Sequence, residues 1–213
     1  MKDDVFYSNK HYPRVASGRG WYRTFLTRPR LNAILRVIEI HPHNTVLEIG
    51  CDEGMLLRML EARTGAIVYG IDINKDSVRR ANHPRIQEGD AQAIPFQDSL
   101  FDVCVSSHTI EHLEFPEKCL AEAARVLKEG GKAAFIYPLE FFRGMTLIPD
   151  VFVTGHIPYP SLLRRIHRHL LNPQKLKILA HNTPFVHKTS MMFFAPPFII
   201  PHFLTLFEKK SVH

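Results

Sequence analysis

Residues 46–56 read Val46-Leu47-Glu48-Ile49-Gly50-Cys51-Asp52-Glu53-Gly54-Met55-Leu56. Apolar strand-forming residues lead to an acid near the strand's end, the chain turns through glycines at 50 and 54, and an amphipathic segment follows at once. That order makes a turn where the backbone can approach a ligand closely, and a nucleotide-like ligand fits it. The glycines are not spaced as G-x-G-x-x-G, the pattern that seats a pyrophosphate on a helix N-terminus, and the carboxylates of Glu48, Asp52 and Glu53 would repel phosphate. The ligand expected here carries positive charge or an amino-acid moiety.

Outward from this turn the pattern alternates. Strands are expected over 45–49, 66–71, 85–88, 101–107 and 132–137, and helices over 28–40, 53–62, 75–81 and 116–128, the last stopped by Gly130 and Gly131. Thr27 is expected to cap the first helix and Pro29 to sit in its first turn. Short apolar strands separated by amphipathic helices mean a parallel sheet covered on both faces, an α/β class of fold. After Pro138 the regularity weakens: 161–171 reads as a basic amphipathic helix, 175–180 as a strand and 190–195 as another. The chain divides into an aromatic and basic extension over 1–44, the α/β core over 45–140, and last strands with an apolar tail over 141–213 of the same domain.

A chain of 213 residues, 45% hydrophobic and 23% charged, is long enough to bury one core and excludes disorder, collagen-like sequence and a coiled coil. Cys51, Cys104 and Cys119 have no C-x-x-C spacing and the start lacks an apolar signal segment, so a reducing cytoplasm is expected, without disulfides or a cysteine zinc site. The net charge of +6 is uneven: +5 over 1–40, −6 over 41–140 and +7 over 141–213. Basic flanks suit an anionic substrate, a phosphate-bearing lipid surface at the inner membrane face, nucleic acid, or simply water.

Four segments in order resemble the class I S-adenosylmethionine-dependent methyltransferases, in particular their branch acting on small molecules and lipids. The first motif of that family, E/D-x-G-x-G-x-G, stands here as Glu48-x-Gly50-x-Asp52-x-Gly54, with Asp52 in place of the middle glycine. Val68-Tyr69-Gly70-Ile71-Asp72-Ile73-Asn74 is similar to the second strand, whose acid takes the ribose hydroxyls. Glu88-Gly89-Asp90-Ala91-Gln92-Ala93-Ile94-Pro95-Phe96 is similar to the adenine-side segment, and 101–113 to the fourth strand and its loop. The resemblance implies a doubly wound, mostly parallel, seven-stranded Rossmann-like sheet and S-adenosylmethionine as cofactor, released as S-adenosylhomocysteine. It implies cofactor contacts from Glu48, Gly50, Cys51, Gly54, Asp72, Ile73, Asp90, Ala91, Ser107 and His108.

Methyl transfer needs an oriented nucleophile, and a hydroxyl nucleophile benefits from a base. His108 at the fourth strand's end and His112 one helical turn later are the catalytic candidates. His108-x-x-Glu111-His112 is also similar to an E-x-x-E-H metal cluster in some hydroxyl methyltransferases, its first glutamate replaced; no metal is expected. Ser106-Ser107-His108-Thr109 is not the D/N-P-P-Y/F of adenine methylation, and no nucleic-acid partner is expected. The acceptor class implied is a small or lipid-like molecule, with Gly155-His156-Ile157-Pro158-Tyr159 as a turn that can face it. A non-catalytic binding module and an RNA-directed enzyme are the alternatives. The 19 uncharged residues between Lys188 and Glu208 are interrupted by Pro196, Pro197 and Pro201, which argues against a membrane span. They read either as a core strand and packed helix, or as a surface segment meeting lipid or a second subunit.

Overall fold

The computed structural model describes residues 20–139, 168–195 and 200–211. The 155–159 turn and most of the expected basic helix over 161–171 lie outside the described residues; its last four, 168–171, are in no helix.

The elements run α1 (Gly20–Val37), β1 (Thr45–Ile49), α2 (Met55–Thr64), β2 (Ile67–Asp72), α3 (Lys75–Ala81), β3 (Ile86–Glu88), β4 (Phe101–Ser107), a one-turn 3-10 helix (Ile110–His112), α4 (Pro116–Val126), β5 (Leu127–Pro138), α5 (Pro173–Leu179), β6 (Phe185–Ala195) and β7 (Ile200–Lys209). Among the described residues the strands form one seven-stranded sheet in the order β3-β2-β1-β4-β5-β7-β6. The first five pair in parallel, and β7 enters antiparallel between β5 and β6. The order reverses between β1 and β4, which leaves a crevice beyond their carboxyl ends, the place where open α/β sheets take ligands.

Alternation along the strands sends one set of side chains to each face. Val46, Val68, Val103 and Val105 pack with Leu57 and Leu60 of α2 and Leu31 and Ile34 of α1. Leu47, Ile49, Cys104 and Phe135 pack on the other face with Leu120 and Ala123 of α4 and Leu176 of α5. Burying one such leucine is worth about 1.5–3 kcal/mol, so both faces are committed to helices.

Three expectations are corrected. The helix starting near residue 28 begins instead at Gly20, so Thr27 is a buried interior residue and Pro29 stands inside the helix. Residues 175–179 are helical and Ala180 caps them: Leu176, Ile178 and Ala180 alternate as a strand would, but Asn172 Oδ1 accepts from the Lys175 amide at 2.8 Å and Pro173 opens the first turn. The end of the tail is a strand, not a packed helix. Leu204, Leu206 and Phe207 are buried in the sheet, so these side chains serve the core and not a lipid surface. Among the described residues no helix is long and apolar enough to cross a membrane.

Candidate functional site

The turn after β1 is built from left-handed residues. Gly50, Asp52 and Gly54 have φ of 75°, 48° and 74°. Aspartate visits this region more readily than most residues, which is how it replaces a glycine here. The amides of Gly50 and Cys51 both donate to Ile71 O at 2.9 Å, tying the turn to β2. Thr109 closes it from the β4 side, its hydroxyl donating to Ile49 O at 3.2 Å. A Cβ on Gly50 would lie 2.0 Å from that hydroxyl oxygen. Gly50→Ala is therefore expected to cost about 2 kcal/mol or more, from the left-handed backbone and from displacing Thr109. Chemical denaturation checks this, and adding Thr109→Ala, which removes the contacts at 2.0 and 2.7 Å but leaves the Cβ at 2.9 Å, should recover only part of the loss.

Asp72, at the tip of β2, reaches into the same turn. Its Oδ2 accepts from the Asp52 amide at 2.7 Å and its Oδ1 from the Asn74 amide at 2.9 Å. The cap of α3 is Asn74, whose Oδ1 accepts from Asp76 and Ser77, so Asp72 is spared that duty. Burial, partly offset by these amides, raises its carboxyl above the ordinary range. Glu48 lies on the β1 side, 3% exposed. Burial pushes its carboxyl well up, a hydrogen bond from the Leu57 amide pulls it down, Asp72 and Asp52 push it further up, and Arg30 opposes them.

Ile73, next to Asp72, is 53% exposed, an apolar surface beside the turn. Asp90 is committed in part to its own loop: its Oδ1 accepts from the Gln92 amide at 2.8 Å, and Ala91 beside it is buried. That loop is pinned to α4 by Arg125, which donates to Phe96 O and Ile94 O at 2.8 Å. Cys51 is buried with its thiol pushed up by burial, which makes it packing and not a nucleophile; Cys104 and Cys119 are likewise buried and free.

At the tip of β4, His108 takes the left-handed backbone with φ of 57° and donates its amide to Ile136 O at 2.9 Å. Its Nδ1 lies 3.4 Å from Glu111 Oε1, and His112 Nε2 lies 3.9 Å from the same oxygen. Among the described residues no three His, Cys, Asp or Glu side chains are arranged to hold a metal ion. Burial, then the Arg30 charge, lowers the His108 pKa to about 4 against the pull of Glu111.

Four buried side-chain atoms at these strand ends, Glu48 Oε2, Ser106 Oγ, Ser107 Oγ and His108 Nε2, make no hydrogen bond to any described residue. Native interiors rarely leave such groups without a partner, so their gathering at the β1 and β4 tips marks a place for a polar ligand.

Residues 47–135 match the profile of a family described as methyltransferase domain. This segment is thus similar to the methyltransferase domain of S-adenosylmethionine-dependent enzymes. The chain is similar to a sterol 24-C-methyltransferase of Gibberella zeae, 31% identical over 131 residues, covering 57% of this chain and 34% of that one. It is also similar to a ubiquinone/menaquinone biosynthesis C-methyltransferase of Bordetella avium, 34% identical over 115 residues, covering 49% and 43%. The chain thus spans well under half the length of these two relatives. Its fold is that of the PH0226 protein of Pyrococcus horikoshii OT3, with a TM-score of 0.66 at 20% identity over 97% of this chain and 99% of that one.

Two groups near these strand ends lie outside the motifs, and a third, Glu111, was named only within the metal-like pattern. Arg30 acts on both Glu48 and His108, and it interrupts the buried stripe of Thr27, Leu31 and Ile34 on α1; a charge within an apolar stripe was the available signal. Glu111 is 1% exposed, a depth of burial that the pattern His108-x-x-Glu111-His112 did not reveal. His202 of β7 packs against His108 with ring centroids 4.8 Å apart, a contact that only the strand pairing creates.

Proposed function

We propose that the chain transfers a methyl group from S-adenosylmethionine to a small-molecule or lipid-like acceptor held between the tips of β4 and β7. The observation that carries this is the set of buried polar atoms without hydrogen-bond partners among the described residues, centred on Glu48 Oε2 and His108 Nε2. A crevice with Glu48, Asp52 and Asp72 on one side fits a cationic amino acid joined to a nucleoside, and repels a dinucleotide.

When bound, the cofactor would supply a methyl carbon activated by its sulfonium charge, open to in-line attack by an oriented acceptor with the thioether as leaving group. Glu48 would take the amino group, the Gly50–Gly54 backbone would lie against the methionine portion, and Cys51 would back that turn. Asp72 would accept from the ribose hydroxyls, Ile73 and Ala91 would cover the adenine, and Asp90 would receive its amino group. Ser107 and His108 would face the transferring methyl, with His108 as the proton acceptor and His112 behind it. The named activities of the sterol and quinone relatives support an uncharged or lipid-like acceptor.

Proton release follows from Glu48. In the unliganded fold it keeps its proton to a higher pH than an ordinary carboxyl, whereas a cationic amino group favours the ionised form. Binding at a pH where Glu48 still holds its proton should therefore expel it, and affinity should rise with pH. Calorimetry in two buffers of different ionisation enthalpy reads this; identical heats in both would contradict the assignment. The function as a whole is tested by incubating the protein with S-adenosylmethionine and a cell extract. S-adenosylhomocysteine should form together with an acceptor heavier by one methylene. Cofactor binding without turnover on any fraction would favour a binding module.

A further inference from the structure

Beside the cofactor crevice the loop after β4 builds a cluster that cofactor binding does not require. Glu111 is 1% exposed and presents Oε1 to two imidazoles, His108 Nδ1 at 3.4 Å and His112 Nε2 at 3.9 Å. At 3.4 and 3.9 Å these are electrostatic approaches, longer than an ordinary hydrogen bond. The His108 ring is fixed from other directions as well. Its amide is bound to β5 through Ile136 O, and His202 of β7 lies edge-on to it, itself 4% exposed and stacked on Phe193 at 5.5 Å. A non-glycine residue kept at φ of 57° persists only where its surroundings over-determine it, and such residues gather at functional sites.

The two nitrogens of this ring face different surroundings. Nδ1 is turned to a carboxyl, while Nε2 is buried without a hydrogen bond to any described residue. In a neutral imidazole the partner of one nitrogen decides which atom carries the proton and which keeps its lone pair.

We propose that Glu111 is a positioning residue that holds His108 in the Nδ1–H tautomer, so that Nε2 takes a proton from the methyl acceptor and the acceptor class is a hydroxyl. This rests on the methyltransferase reading above. The acceptor's O–H bond breaks with its electron pair left on oxygen, the proton bonds to Nε2, and the imidazolium so formed faces the Glu111 carboxylate until the proton passes to water. Among the described residues, Glu111 and His112 from the 3-10 turn and His202 from β7 lie against the ring, and the Arg30 charge from α1 acts on it. After burial, Arg30 and His112 disfavour its protonated form and Glu111 favours it. Near neutral pH the ring is therefore neutral and its lone pair can accept.

Long-range proton–nitrogen NMR spectra of isotope-labelled protein, recorded with S-adenosylhomocysteine, read the tautomer of each assigned histidine. The expected result is His108 protonated at Nδ1 in the wild type, a mixture of tautomers in Glu111→Gln, and the wild-type form restored in Glu111→Asp, with S-adenosylmethionine affinity changed less than about threefold throughout. Wild-type protein carrying the proton on Nε2, or a Glu111→Gln spectrum identical to wild type, would overturn the proposal. The wild-type spectrum decides even if the variant does not fold. Catechol and benzylamine, each offered with labelled cofactor, test the acceptor class: label on catechol supports it, and label on benzylamine alone overturns it. A protein that binds no S-adenosylmethionine would instead defeat the underlying methyltransferase reading.

Discussion

His108→Ala is expected to lower turnover about 100-fold while S-adenosylmethionine affinity stays nearly unchanged, the loss typical of removing a positioned base. The separation of the two effects follows from where the ring stands. Its amide, not its side chain, bonds to Ile136, so the alanine variant keeps the link between the β4 tip and β5. What disappears is Nε2, the buried atom proposed to face the acceptor, together with the close approach to Glu111. The pH profile adds a second check. With the His108 pKa held at about 4, the neutral ring persists far below the ordinary imidazole range, so the acidic limb of wild-type turnover should lie well under pH 6.5. Steady-state kinetics with calorimetric affinities measures both. If the alanine variant loses cofactor binding instead, His108 is a packing residue.

Asp72→Ala is expected to weaken S-adenosylmethionine binding roughly 100-fold, near the upper end of the roughly 1.5–3 kcal/mol of hydrogen bonds to charged groups. Two losses combine. The ribose hydroxyls lose the carboxylate proposed to receive them, and the turn loses the latch from Asp52 N to Asp72 Oδ2 that holds a left-handed residue in place. Asp72→Asn keeps an acceptor oxygen and should fall between wild type and alanine. Calorimetry on the folded variants separates these outcomes, and equal affinity in Asp72→Ala would remove the residue from the site.

The parts of this account legible in the sequence are those carried by short-range chemistry. The β1 turn was readable because glycines at 50 and 54 and an acid at 48 have a local reason to be there, and the strands from β1 to β4 were readable from their apolar runs, whereas β5 was read only from 132: Gly130 and Gly131, expected to stop a helix, lie within the strand. The misread elements involve competing local signals. In 175–180 an alternating pattern outweighed Asn172 and Pro173, although a cap followed by proline is the stronger evidence for a helix start. In α1, Pro29 was taken as a beginning because proline favours first turns, yet the buried stripe continues through Thr27 on its N-terminal side. Distant pairing was not legible at all. The approach of His202 to His108 depends on β7 entering the sheet beside β5, a contact across 94 positions that no local pattern encodes.

The most direct test of the central claim, that the crevice beyond β1 and β4 holds the cofactor, is a crystal structure of the protein with S-adenosylhomocysteine. The account predicts the ligand across the Gly50–Gly54 turn, with its ribose hydroxyls on Asp72, its amino group on Glu48 and its sulfur directed toward His108. A ligand bound elsewhere, or an empty crevice at saturating concentration, would contradict it.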